Sequence, residues 1–167
     1  MIDAAEEERL IRAIEPLAFA AFEFQGFLGK RNVISFGWRY DFNGGGLERV
    51  DDIPEFLLRL REAAGRAFGL DAGKLQQVLL TQYPPGAAIG WHKDRSVFGD
   101  VVGISLAAAC TFRFRRKAGS RWERYSLVLA PRSAYLLQGQ SRTDWQHSIP
   151  AVEALRFSIT FRSVRGA

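Results

Sequence analysis

Two histidines occur in the 167 residues of this chain, and each stands where it could hold a metal. His92 lies in Gly90-Trp91-His92-Lys93-Asp94, two positions before a carboxylate, and His147 follows much further on. On a β-strand a spacing of two puts both side chains on one face, so one strand would offer an imidazole and a carboxylate to the same point. With His147 as a second imidazole, the set is two histidines and a carboxylate with the opposite coordination positions open. That arrangement suits non-haem Fe(II) and oxygen chemistry. A zinc hydrolase is compatible with the same three residues, and His-x-Asp also arises by chance in loops.

A second group of residues favours the oxygen chemistry. In Arg156-Phe157-Ser158-Ile159-Thr160-Phe161-Arg162 the even positions are polar and the odd ones apolar. As a strand, this segment buries Phe157, Ile159 and Phe161 and presents Arg156, Ser158, Thr160 and Arg162 together. The two arginine Cα atoms would be roughly 20 Å apart. With both side chains leaning inward, the gap suits a short dicarboxylate held by charge-assisted hydrogen bonds. A solvated edge strand is the plain alternative. A metal with open positions beside a diacid site points to 2-oxoglutarate, whereas a hydrolase gives no reason for the arginines.

The elements that must position these groups fall into two textures. Near the start, Asp3 and Glu6 form a capping-box pattern ahead of the apolar stripe Leu10, Ile11 and Ile14, and Pro16 closes that helix. Residues 17–24, rich in Phe and Ala, are expected to enter the core, with breaks at Gly26 and Gly29. Residues 31–42 read as a strand or extended loop, and Gly44-Gly45-Gly46 as a mobile loop or a tight turn. A second helix is predicted over 54–68, capped by Asp51 or Asp52 and stopped by Gly69, with Phe56, Leu57, Leu60, Ala63, Ala64 and Ala67 on one face.

From residue 75 onward short strands replace helices, at 78–83, 89–94, 101–106, 111–115, 125–129, 134–137, 145–149 and 155–164. The stretch 116–120 is basic and reads as a turn. This pattern argues for an α+β, mostly β protein: a jelly roll with two N-terminal helices packed on one sheet. A single domain over 1–167 is expected, with 1–70 supplying helices and a substrate lid and 71–167 the jelly-roll core.

Composition agrees. The chain is 47% hydrophobic, enough for a substantial core, and carries a net charge of +5, which favours a polyanionic partner such as nucleic acid. Arg113, Arg115, Arg116, Lys117, Arg121 and Arg124 cluster around one turn and could track a phosphate backbone. The single cysteine, Cys110, sits among alanines and Phe112, fits a buried core position and suits a reducing compartment. No secretory pattern or membrane-length apolar run is visible, so a cytoplasmic protein is expected, and small size without an obvious apolar surface stripe favours a monomer.

Several of these segments together resemble the AlkB family of Fe(II)- and 2-oxoglutarate-dependent dioxygenases. They are Gln82-Tyr83-Pro84-Pro85-Gly86, His92-Lys93-Asp94, Gly139-Gln140-Ser141-Arg142 leading to Trp145-Gln146-His147-Ser148-Ile149, and the closing Arg156-x5-Arg162. The resemblance runs from about residue 30 to 165. It implies a double-stranded β-helix in which His92, Asp94 and His147 bind Fe(II), with 2-oxoglutarate and O2 as cosubstrates. It also implies that Arg156 and Arg162 hold 2-oxoglutarate and that Tyr83 hydrogen-bonds it. Ser158 and Thr81 stand where family members often place an asparagine, and they are expected near the same molecule.

Phe36-Gly37-Trp38-Arg39-Tyr40-Asp41-Phe42 looks similar to the family's recognition lid, which makes Trp38 and Tyr40 candidates to stack on a flipped base. The implied activity is oxidative dealkylation of alkylated nucleobases in DNA or RNA: the carbon on a base nitrogen is hydroxylated, and the hemiaminal collapses to release an aldehyde. AlkB-like members that modify tRNA or act on protein provide a second reading. A metal-dead nucleic-acid-binding module is a third, opposed by the presence of all three ligands and both arginines. Ser96 occupies a position where some DNA-repairing members are acidic, so base preference stays open.

Overall fold

The computed structural model describes residues 1–24 and 27–166, with backbone alone at 24, 27 and 28. The break expected at Gly26 lies outside the described residues. In chain order the elements are α1 (Ala4–Ile14), β1 (Ala20–Phe24), β2 (Phe27–Phe36), β3 (Trp38–Tyr40), β4 (Leu47–Arg49) and α2 (Glu55–Phe68). After a 3-10 turn (Ala72–Lys74) come β5 (Gln77–Tyr83), β6 (Ile89–His92), β7 (Phe98–Leu106), β8 (Cys110–Ala118), β9 (Arg121–Leu129) and β10 (Ala134–Leu137). A short α3 (Gln140–Thr143), β11 (Gln146–Ile149) and β12 (Arg156–Val164) complete the chain.

Antiparallel pairing builds a major sheet in the order β1-β2-β5-β12-β7-β10 and a minor sheet in the order β6-β11-β8-β9; β3 and β4 form a separate hairpin. Two-residue alternation gives the major sheet two different faces. On one, Val78, Leu80, Val102, Ile104, Leu106, Phe157, Ile159 and Phe161 pack against Leu10 and Ile14 of α1 and Leu57, Leu60 and Ala64 of α2. The two helices therefore lie on one side of one sheet, as their apolar stripes require. The other face carries Gln77, Thr81, Tyr83, Arg156, Ser158, Thr160 and Arg162 and opens on a cavity closed by the minor sheet. A second apolar cluster includes Cys110, Phe112, Leu137 and Ile149, and the last three also line that cavity.

Several local expectations are corrected. Residues 17–23 reach the core only in part: Ala20 and Ala21 are exposed on β1, Phe22 is half-buried, and Leu17 and Phe19 pack partly against the first apolar cluster, while the Phe24 side chain lies outside the described ones. The basic stretch 116–120 is not all turn, because β8 runs to Ala118 and leaves only Gly119 and Ser120 between it and β9. Strand β6 stops at His92, so Asp94 lies just beyond it. Neither aspartate caps α2. Pro54 occupies the N-cap without a side-chain bond, Asp52 pairs with Arg49 at 3.0 Å, and Asp51 accepts from the Gly37 amide through its carbonyl. At α1, Asp3 accepts from the Glu6 amide at 2.8 Å, but the Glu6 carboxylate turns to Arg9.

Two close fits tie the layers together. The Tyr135 ring lies over Gly103, where a Cβ would come within 2.1 Å of it, so only glycine fits at that point of β7. Glu7 of α1 is buried; it accepts from the Ala107 amide at 3.0 Å and from Arg132 at 2.7 Å. Ala107 and Arg132 are both left-handed, with φ of 70° and 66°, in the turns after β7 and β9.

Candidate active site

His92, Asp94 and His147 converge although no strand carries all three. Pairing of β6 with β11 sets His92 opposite His147, with ring centroids 4.3 Å apart. Asp94 reaches back from the turn after β6, its Oδ1 3.5 Å from His92 Nε2 and 3.8 Å from His147 Nε2. One ligand atom from each residue lies within 4.8 Å of the others, a separation a metal ion could bridge.

The protonation states suit a cation. His92 Nδ1 donates to the Gly90 carbonyl at 2.8 Å, which orients the ring with Nε2 toward Asp94. Burial first, then the neighbouring His92, lowers the His147 pKa from 6.5 to about 4, so its imidazole is neutral at pH 7. Burial alone would raise the Asp94 pKa; the Arg162 guanidinium, and then the two histidines, hold it well below the usual carboxylate range. The His92 ring, the neutral His147 imidazole and the ionised Asp94 carboxylate thus turn nitrogen and oxygen atoms toward one another, an arrangement that a divalent ion between them suits. His147 Nδ1 is buried without a hydrogen-bond partner. Phe112 and Phe114 flank the His147 ring at 5.4 and 6.2 Å between centroids and limit its rotation.

The two arginines of β12 differ in their surroundings. Arg156 is 1% exposed, bonds Ser105 Oγ through Nε at 3.0 Å, lies 4.9 Å from the Tyr83 ring centre and leaves Nη1 unpartnered. It has no carboxylate among the described residues, so a buried cation stands uncompensated on the cavity wall. Arg162 instead approaches Asp94 Oδ2 and Gln77 Oε1, each at 3.3 Å, and orients the carboxylate of the triad. Thr81 and Ser158 are buried and directly opposite each other across β5 and β12, on the cavity side. Donor set, cavity and uncompensated charge all fit a divalent metal with a small dianion beside it.

The cavity measures about 1340 Å³. Tyr40 and Phe42 meet edge to face on its wall at 5.0 Å between centroids, and the Arg95 guanidinium lies 5.0 and 5.1 Å from the two ring centres. Trp38 does not line the cavity and sits beside Arg49. Reading the sequence missed two wall residues. Arg31 faces the cavity from β2 and stacks on Phe22 at 3.9 Å; alternation with Val33 and Ser35 was the available signal. Tyr135 comes from β10, where burial pushes its hydroxyl up so that it stays a proton donor; the close-fitting Gly103 was the one trace of it.

The sequence matches the profile of the 2OG-Fe(II) oxygenase superfamily over residues 35–162, and the chain belongs to that superfamily. The chain is thus a 2-oxoglutarate-dependent oxygenase domain of the kind that uses Fe(II) and O2, and it is similar to AlkB-like proteins. It is 27% identical to the alkylated DNA repair protein ALKBH8 homolog of Arabidopsis thaliana, over 98% of this chain and 53% of that protein. The mouse tRNA (carboxymethyluridine(34)-5-O)-methyltransferase ALKBH8 is 26% identical over 89% of this chain and 23% of its own length. The chain thus spans about half or less of these relatives. The solved structure of OsALKBH1 superposes with a TM-score of 0.71 at 15% identity, covering 97% of this chain and 92% of that one, a likeness of fold.

Proposed function

We propose that the protein oxidatively removes alkyl groups from nucleobases in DNA or RNA, with His92, Asp94 and His147 holding Fe(II) and Arg156 holding the far carboxylate of 2-oxoglutarate. The observation that carries this reading is the uncompensated Arg156 on the wall of the cavity that also holds the triad. Iron bound there would, with 2-oxoglutarate and O2, supply the oxidising power for inserting oxygen into a C–H bond. The chain's residues bind and orient. The Tyr83 ring packs against the Arg156 guanidinium; Tyr135, Thr81 and Ser158 line the same cavity; and Arg162 fixes Asp94 and bears on the nearer carboxylate.

On the cavity wall, Tyr40 and Phe42 offer aromatic surface to a base turned out of its strand, and Arg31 supplies a cation for the phosphate beside it. Hydroxylation of a methyl on nitrogen consumes one O2 and one 2-oxoglutarate and yields CO2, succinate and, after collapse of the hemiaminal, formaldehyde and the unmodified base.

The name of the mouse relative concerns a tRNA uridine, which favours a second reading: a tRNA-directed hydroxylase using the same site. A panel of alkylated DNA and RNA oligonucleotides, followed by mass, separates the two. Loss of an alkyl mass supports dealkylation, a gain of one oxygen without loss supports the hydroxylase, and substrate-independent turnover with every strand unchanged opposes both. The lone buried cysteine supports a reducing, cytoplasmic setting. No helix among the described residues is long and apolar enough to cross a membrane.

A further inference from the structure

On the outer face of the minor sheet, behind the active site, the side chains of β8 alternate. Phe112 and Phe114 point to His147, while Arg113, Arg115 and Lys117 take the opposite face. The Arg113 and Arg115 Nε atoms donate to Ser148 Oγ and Gln146 Oε1 of β11 at 2.9 and 2.8 Å. Their guanidinium carbons lie 5.0 and 4.5 Å from the Trp91 ring centre of β6, and Arg115 is also 4.3 Å from that of Trp122 on β9. Lys117 Nζ lies 4.9 Å from the same Trp122 ring. A ladder of alternating rings and cations therefore crosses all four strands.

No carboxylate answers this charge. Glu123, the one acid between Cys110 and Leu129, is held by Arg116 at 2.5 Å. Among the described residues, Arg113, Arg115, Lys117, Arg121 and Arg124 have no ion pair. Six cations against one acid make this hairpin +5, equal to the formal charge of the whole chain. Arg115 is also paired directly with Arg124, a like-charge juxtaposition that costs stability in a sheet. The rings and amide partners fix the guanidinium planes in advance, which lowers the cost of binding an oxyanion.

We propose that this face is a track for the phosphate backbone of a single nucleic-acid strand. Arg115, Lys117 and Arg124 take phosphates, and the exposed Trp122 gives a base a surface to stack on. Successive cations along β8 are about 7 Å apart, a step like that between phosphates in an extended strand. Trp91 and His92 are neighbours on opposite faces of edge strand β6, so a strand leaving the track needs only to turn over that edge to reach the cavity. The inference rests on nucleic acid being the substrate and names where the strand lies outside the catalytic pocket.

The test is fluorescence anisotropy of an unmodified, labelled 12-nucleotide RNA or DNA single strand across a salt series. Wild type is compared with Arg115→Gln/Lys117→Gln/Arg124→Gln. The slope of log affinity against log salt should flatten by about 0.7 per lost contact, about 2 for the triple variant. Its melting temperature should stay within a few degrees of wild type. An unchanged slope overturns the proposal. Should the triple variant fail to fold, Lys117→Gln and Arg124→Gln alone, both at exposed positions, should each lose about 0.7, and no loss in either overturns it. Vesicles rich in phosphatidylserine that bind this face and resist displacement by the strand would also overturn it. An alkylated trinucleotide, too short to span the track, tests the chemistry separately: wild type that binds strands with the expected slope but leaves this substrate unchanged sinks the dealkylation reading and spares the track.

Discussion

Arg156 owes its importance to what surrounds it. A guanidinium that is 1% exposed, with one hydroxyl partner and an orphaned nitrogen, is a cost to the fold unless a carboxylate arrives. Arg156→Met, which keeps most of the stem's volume, should therefore leave the melting temperature of the metal-free protein unchanged or raise it. It should weaken 2-oxoglutarate binding by roughly 2–5 kcal/mol, the loss typical of a broken buried charge pair. Calorimetric titration in the presence of Mn(II) under nitrogen measures the affinity. An unchanged binding curve would move the diacid pocket elsewhere. For the triad, alanine at His92, Asp94 or His147 should remove bound iron after reconstitution and abolish turnover while the fold persists; full occupancy in any one variant refutes that residue's assignment.

His147 also predicts a pH dependence. Its pKa is about 4 in the fold against 6.5 for the free side chain, so the unfolded chain takes up a proton that the folded chain refuses. The stability tied to a neutral His147 is fully present above 6.5 and is lost as pH falls from there to about 4. Melts of the chelator-treated protein at several pH values across that window should show the decline, and His147→Asn should flatten it.

Elements were legible where period and face agreed. Strand β12 could be read from its alternation, and with it the wall that carries both arginines. Asp94 could not be placed, because the strand expected to carry it ends at His92 and the carboxylate arrives from the following turn. Nor was the length of β8 readable: charges at 116 and 117 resemble a turn, whereas pairing with β9, the Arg116–Glu123 ion pair and the rings of Trp145 and Trp122 keep them in a strand. The β3–β4 hairpin separates the two aromatics that the sequence treated alike. Tyr40→Ala should weaken binding of an alkylated strand by about 1–3 kcal/mol and cut turnover. Trp38→Ala, off the cavity, should lower the melting temperature with little selective loss of substrate. Anisotropy run beside thermal melts tells them apart.

Across the whole molecule, sheet order was the part no local pattern contained. The major sheet places β12, the last strand, between β5 and β7, and the minor sheet places β11 between β6 and β8. Each inserts a late segment between earlier ones, so the metal site exists only once the C-terminal strands have docked. Arg31 and Tyr135 could not be assigned to the cavity for the same reason: it is this order that brings β2 and β10 into the sheet whose face β12 shares.

Glu7 makes the other end of the chain equally necessary. Its carboxylate holds the amide of a residue 100 positions away and the side chain of another 125 away, both in left-handed turns. That makes one backbone hydrogen a remote gauge of whether the first helix is seated. In deuterated buffer the Ala107 amide should exchange slowly in the native protein and much faster in Glu7→Ala. Amides in the middle of β12 should keep their protection, because the sheet still forms beneath a helix that now lifts and settles. Equal exchange at Ala107 in both proteins would mean that the clamp is decorative and that α1 is held by Leu10 and Ile14 alone.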